Sequence, residues 1–170
     1  MIMTKDQVMA FMPHRDPFLF IDSVTRVELP EALAGRKGPF TLAELVGGKT
    51  FCRFDVIPEL KVLEGHFPGY PILPGVVQVE MMAQASAFLM INAIPGKLED
   101  SKLDVALLGV DGSKFRKPVF PGMKLEISTV LTKVRGPMTT YSAQIHCDGQ
   151  LMSESSFLAS LRIITKGSDS

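Results

Sequence analysis

VVQVEMMAQASAFLMINAI, residues 76–94, carries one charge, Glu80, in nineteen residues and is bounded by Pro74 and Pro95. Its length alone would cross a bilayer. Glu80, Gln78, Gln84 and Asn92 inside it argue instead for a helix enclosed by protein, since such groups are costly in lipid. A helix apolar on all sides needs a layer around it, and the flanking sequence supplies strands.

KTFCRFDVI (49–57) alternates Phe51, Arg53 and Asp55 with Cys52, Phe54 and Val56, which predicts a strand. PFLFIDSVTRVEL (17–29), rich in aromatic and β-branched residues, predicts another. Beyond the helix, ALLGVDGSKF (106–115), KLEISTVLTKV (124–134), YSAQIHC (141–147) and QLMSESSFLASLRIIT (150–165) follow with short connections. Leu125, Ile127, Thr129 and Leu131 share one face of the second of these. Asp148-Gly149 between the last two is a hairpin signal. Thr4-Lys5-Asp6-Gln7 has the form of a capping box, so a short helix is expected from about Lys5 to Met12, ended by Pro13. TLAELV (41–46) could form another short helix. Consecutive strands with tight turns make an antiparallel sheet, and one central helix is the layer that covers its face. The expected class is α+β, one domain over residues 1–170.

The chain is 46% hydrophobic, and eighteen basic residues balance eighteen acidic ones. No net field favours nucleic acid or an anionic membrane. Cys52 and Cys147 lie far apart outside any CxxC or Cys/His spacing, which fits core thiols in a reducing compartment. The N-terminus lacks the apolar core of a signal peptide, so a cytoplasmic location is expected. No metal-binding spacing, Walker loop or dinucleotide glycine fingerprint occurs, and no metal, nucleotide or other cofactor is expected. His14, in a turn beside Arg15, and His146, beside the hairpin, read as structural.

His66 lies in GHFPGYPILPG (65–75), where Pro68, Pro71 and Pro74 fix φ and Gly69 and Gly75 permit conformations closed to other residues. Pro74-Gly75 falls at the start of the long helix, where unpaired amides and the positive end of the dipole suit an oxyanion. Glu80, about one and a half turns inside, sits among Val76, Val79, Met81 and Met82; burial would raise its pKa and suit a general acid. A base, an acid and amide donors are the set for removing an α proton and expelling a β substituent. A satisfied core histidine and a paired core glutamate fit the spacing as well, and spacing names no substrate.

GHFPGYPILPGVVQVEMMAQAS (65–86) closely resembles the signature of the 3-hydroxyacyl-[acyl-carrier-protein] dehydratases of type II fatty acid synthesis. PHRDPFLFID (13–22) is similar to that family's N-terminal stretch, and KFRKPVFPGMKLEI (114–127) to its later strand-turn-strand, in family order. The resemblance implies the hot-dog fold, an antiparallel sheet wrapped around one long helix. It implies His66 as the base, Glu80 as the acid that helps the β-hydroxyl leave as water, the Gly75 amide on the thioester oxygen, and Gln84 supporting Glu80. It also implies a site built across a homodimer, with hexamers as a further assembly in the family, and an acyl carrier protein bearing a 3-hydroxyacyl chain as partner. Lys114, Arg116 and Lys117 resemble the carrier-docking edge, and Tyr70 could shield the site or pack structurally. The product would be a trans-2-enoyl thioester for fatty acid or lipid A precursor synthesis.

Dehydratase-isomerases of the same group carry aspartate at position 80 and usually a tryptophan where this chain has Ala83, so dehydration without isomerisation is expected. A hot-dog thioesterase and a non-catalytic acyl-binding subunit are the other readings. The chain departs from the family in longer links at 30–48 and 57–65 and in Met123, which replaces an aspartate. These bear on chain length, oligomer and carrier specificity.

Overall fold

The computed structural model describes residues 1–96 and 101–165; residues 97–100 and 166–170 lie outside them. Helix α1 spans Lys5–Phe11, and the Thr4 amide donates to Gln7 Oε1 at 2.9 Å, closing the start that T-x-x-Q predicts. Strands β1 (Ser23–Glu28) and β2 (Lys49–Asp55) precede helix α2 (Gly75–Ser86). A 3-10 stretch, Ala87–Ala93, extends α2, so the expected helix is present with its second half wound tighter. Strands β3 (Ser101–Phe115), β4 (Lys124–Arg135), β5 (Met138–Cys147) and β6 (Gln150–Thr165) complete one antiparallel sheet in the order β1-β2-β4-β5-β6-β3. Gly75–Ala93 is long and apolar enough to cross a membrane, yet 67% of it is buried inside the protein, against the sheet. This is the arrangement the resemblance implies.

Pattern and packing agree on the inner face. Leu125, Ile127, Thr129 and Leu131 are all buried, and so are Cys52, Phe54 and Val56 opposite them. The core they form encloses Met81, Met82, Phe88, Leu89 and Met90 of the helical layer. Asp148 (φ 49°) and Gly149 (φ 75°) both occupy the left-handed region that a two-residue hairpin needs, which explains why Asp-Gly marks this turn. Inside this core Thr50 Oγ1 donates to Ala85 O (3.0 Å) and meets Thr129 Oγ1 (2.6 Å), tying β2 and β4 to the end of α2. Thr50→Val strands both partners without water, and unfolding in urea should show a loss of about 1–3 kcal/mol; an unchanged midpoint would remove this tie from the account.

Two expectations change. The strand expected over 17–29 begins only at Ser23. Phe18 O and Phe20 N bond the side chain of Gln84 rather than a neighbouring strand, so the segment runs along the helix and not in the sheet. TLAELV forms turns, not a helix; Glu44 accepts from the Thr41 amide (2.9 Å) and Arg36 (2.8 Å). Within the long 30–48 link Leu33, Phe40 and Leu45 are buried, and the Phe40 amide donates to Asn92 O, so it packs on the far end of the helix. The 57–65 link holds a 3-10 turn, Lys61–Leu63, with Leu63 buried.

Candidate active site

The loop before α2 is knitted to itself. The His66 amide donates to Leu63 O (3.1 Å), the Ile72 amide returns to His66 O (2.8 Å), and Phe67 and Tyr70 exchange backbone bonds. His66 Nδ1 lies 2.8 Å from Ile72 O. A carbonyl oxygen only accepts, so Nδ1 carries hydrogen and the neutral ring presents a bare Nε2, the form a base needs. The imidazole stacks on Phe67 with centroids 4.1 Å apart.

Helix α2 opens at Gly75 with Pro74 as its cap and no side-chain capping bond. Val77 and Gln78 donate the first bonds, both to Pro74 O, so the amides of Gly75 and Val76 precede the ladder. The Phe115 ring lies directly on Gly75: a β-carbon there would come within 2.8 Å of it. Glycine is required at this close approach.

Glu80 faces outward from α2, with 26% of its side chain exposed. Gln84 Nε2 donates to its Oε1 at 2.9 Å, and His14 Nε2 lies 3.4 Å from the same oxygen. Gln84 is itself pinned: it donates to Phe18 O (2.8 Å) and accepts from the Phe20 amide (2.9 Å). The raised pKa expected from burial is not found in this chain. The hydrogen bond from His14 holds the Glu80 carboxyl below its ordinary value, with help from Gln84, and outweighs desolvation. His14, which the sequence reads as structural, is thus the residue that reasoning from spacing misses; its only signal is that PHRDPFLFID resembles a family stretch.

Among the described residues no hydrogen bond or ion pair joins His66 to Glu80. The chain places Glu80, with Gln84 and His14, beside a small cavity of about 100 Å³ walled by α2, β3 and the segment after α1. No residue of the histidine loop is among those that line it. Tyr70 is exposed and meets the Phe120 ring edge-on at 5.5 Å. Lys114 and Arg116 both pair with Glu154 (3.9 and 2.6 Å), and Lys117 donates to Gln150, so two of the three cations are partly neutralised within the chain. Cys52 and Cys147 are buried free thiols, and burial pushes both upward in pKa. No cluster of three metal-ligating side chains occurs among the described residues.

Known proteins share both sequence and architecture. The 3-hydroxyacyl-[acyl-carrier-protein] dehydratase FabZ of Campylobacter jejuni is 33% identical over 153 residues, covering 90% of this chain and 93% of that one. The FabZ of Anaeromyxobacter dehalogenans is 34% identical over 155 residues, covering 91% and 87%. The solved dehydratase heterocomplex ApeI:P from Xenorhabdus doucetiae superposes with a TM-score of 0.62 over 91% of this chain and 90% of that one; at 18% identity it shows the fold, which is the hot-dog fold. The family model of the FabA-like domain matches residues 12–156, and with these relatives it establishes that the chain belongs to the FabA-like family.

Proposed function

We propose that the protein, as one domain, dehydrates (3R)-3-hydroxyacyl-[acyl-carrier-protein] to the trans-2-enoyl thioester, in the cytoplasm, for fatty acid or lipid A precursor synthesis. The observation that carries this reading is the pairing of a histidine with a bare Nε2 on a rigid loop and a carboxyl group held at one oxygen beside an apolar cavity. His66 Nε2 takes the α proton, the Gly75 amide holds the thioester oxygen as charge develops, and Glu80 gives a proton to the leaving β-hydroxyl. The α C–H and β C–O bonds break, the C=C bond forms and water leaves. His66 ends protonated and Glu80 ends as carboxylate; solvent returns the proton from one to the other. Acyl chain filling the site expels water, and that desolvation raises the Glu80 pKa toward its acid form.

With no hydrogen bond or ion pair joining His66 to Glu80 among the described residues, a second copy completes the site in this reading. The β3 strand ends the sheet, and Val105, Leu107, Leu108 and Val110 along it are exposed, together with Val76 at the start of α2. An unpaired, apolar edge of this length is a pairing surface. Two copies joined along β3 would form one continuous sheet and bring the loop of one toward the helix of the other; further association to a hexamer is compatible with this. Leu108→Lys should convert the dimer to monomer by light scattering and abolish activity. A monomeric variant with full turnover would overturn the shared site.

Lys117, Arg116 and Lys114 form the docking edge for an acidic carrier and act more on encounter rate than on affinity. The test of the whole reading is enoyl absorbance from purified protein given 3-hydroxyacyl carrier thioesters of several lengths. Appearance of the enoyl chromophore supports it; free thiol without enoyl product marks a thioesterase, and neither product marks an acyl-binding subunit.

A further inference from the structure

His14 Nδ1 is buried and, among the described residues, has no hydrogen-bond partner, while Nε2 of the same ring points at Glu80 Oε1. The two nitrogens therefore have unequal environments. With hydrogen on Nε2, the ring donates to the carboxyl and leaves a bare acceptor in the buried position. A hydrogen on Nδ1 instead of Nε2 would stand as a buried donor with no acceptor and would leave the carboxyl without this donor. The backbone around the ring is held in place: Arg15 Nη1 donates to both Met12 O (2.8 Å) and His14 O (2.7 Å).

Gln84 donates to the same carboxyl oxygen. Two donors converge on Oε1 and none reaches Oε2 among the described residues, and a proton on a carboxylic acid resides on the oxygen that is not accepting. We propose, resting on the dehydratase reading above, that His14 is a positioning residue: an Nε2–H donor that, with Gln84, occupies Oε1 and makes Oε2 the oxygen that holds and gives the proton. The 3.4 Å separation is long for a hydrogen bond, and the contact closes when substrate fills the cavity, as contacts in unliganded sites do. Among the residues that line the cavity, from the segment after α1, from α2 and from β3, His14 and Glu80 are the titratable ones; Met12, Ala83, Leu103 and Val105 are apolar. Across the proposed dimer His66 of the second copy would be the third titratable group to face Glu80.

A donor to the carboxylate favours its charged form, so removing it raises the Glu80 pKa. The basic limb of the rate profile, which reports loss of the acid, then moves to higher pH. The experiment measures kcat and KM against pH for wild type, His14→Leu, His14→Asn and His14→Gln, with oligomer mass and melting temperature alongside. His14→Leu and His14→Asn, whose amide stands at the Nδ1 position and falls short of Oε1, should lower kcat about tenfold, leave KM nearly unchanged and shift the basic limb upward. His14→Gln, whose amide reaches the Nε2 position, should restore the limb. A folded, dimeric His14→Asn with an unmoved limb overturns the proposal, as does failure of His14→Gln to differ from it. A 13C NMR titration of the Glu80 carboxyl in the same variants needs no turnover: it reads the His14 contact even if wild type proves inactive, an outcome that would overturn only the dehydratase reading.

Discussion

Dehydration by Glu80→Gln is expected to fall about a hundredfold or more relative to wild type, because the substitution keeps the shape of the side chain and removes the proton that the proposed mechanism assigns to it. Gln84 and His14 can still donate to the amide oxygen at position 80, so the local fold should survive and melting should change little. His66→Ala should lose a similar factor through the base, while the loop keeps its backbone bonds between Phe67 and Tyr70 and between Leu73 and Val119. Since each subunit would supply one half of a site, a mixture of the two inactive variants should recover activity as heterodimers form: one of the two sites in such a dimer carries both native residues. Enoyl absorbance measured before and after exchange of subunits checks all three statements. Residual activity within a few-fold of wild type in either single variant would sink the acid-base pair.

Gln84→Leu should produce the largest combined loss of stability and turnover. Gln84 is 2% exposed and makes three bonds, to the Phe20 amide, to Phe18 O and to Glu80. Leucine fills the volume but leaves the buried Phe20 amide unpaired, costing about 1–3 kcal/mol, and takes the donor from the part-buried Phe18 carbonyl. Urea unfolding should show a loss of about 2–4 kcal/mol in total, and the segment 18–22 should exchange its amides faster. Turnover should drop as well, because Oε1 of Glu80 loses its closer donor. Wild-type stability in Gln84→Leu would mean that the Phe18–Phe20 segment is held by packing of Phe20 on Phe54 rather than by the glutamine.

Much of the fold is legible in the residues. The strands that alternate cleanly, β2 and β4, lie where Cys52, Phe54, Leu125 and Ile127 place them, since a half-buried strand imposes a period of two. The long helix is legible because nothing else in the chain is apolar on every side. The segment 17–22 is misread for a physical reason: Phe, Leu and Ile suit a strand and a core-lining loop equally well, and a single distant side chain, Gln84, decides which backbone partners it takes. The Glu80 pKa is misread likewise. Apolar neighbours along the helix predict a raised value, but the neighbour that dominates, His14, lies 66 residues earlier.

By itself the sequence determined the helix, the alternation of the strands, the hairpin at Asp148-Gly149 and the family motif that holds His66, Gly75 and Glu80, because these rest on local dihedral preference and residue spacing. Only the tertiary structure decided that His14 and Gln84 share one oxygen of Glu80, that His66 makes no hydrogen bond or ion pair with it among the described residues, and that β3 ends the sheet of the described residues with apolar side chains exposed. Those are contacts between residues far apart in the chain, and no local pattern encodes which distant groups a folded surface brings within hydrogen-bond reach.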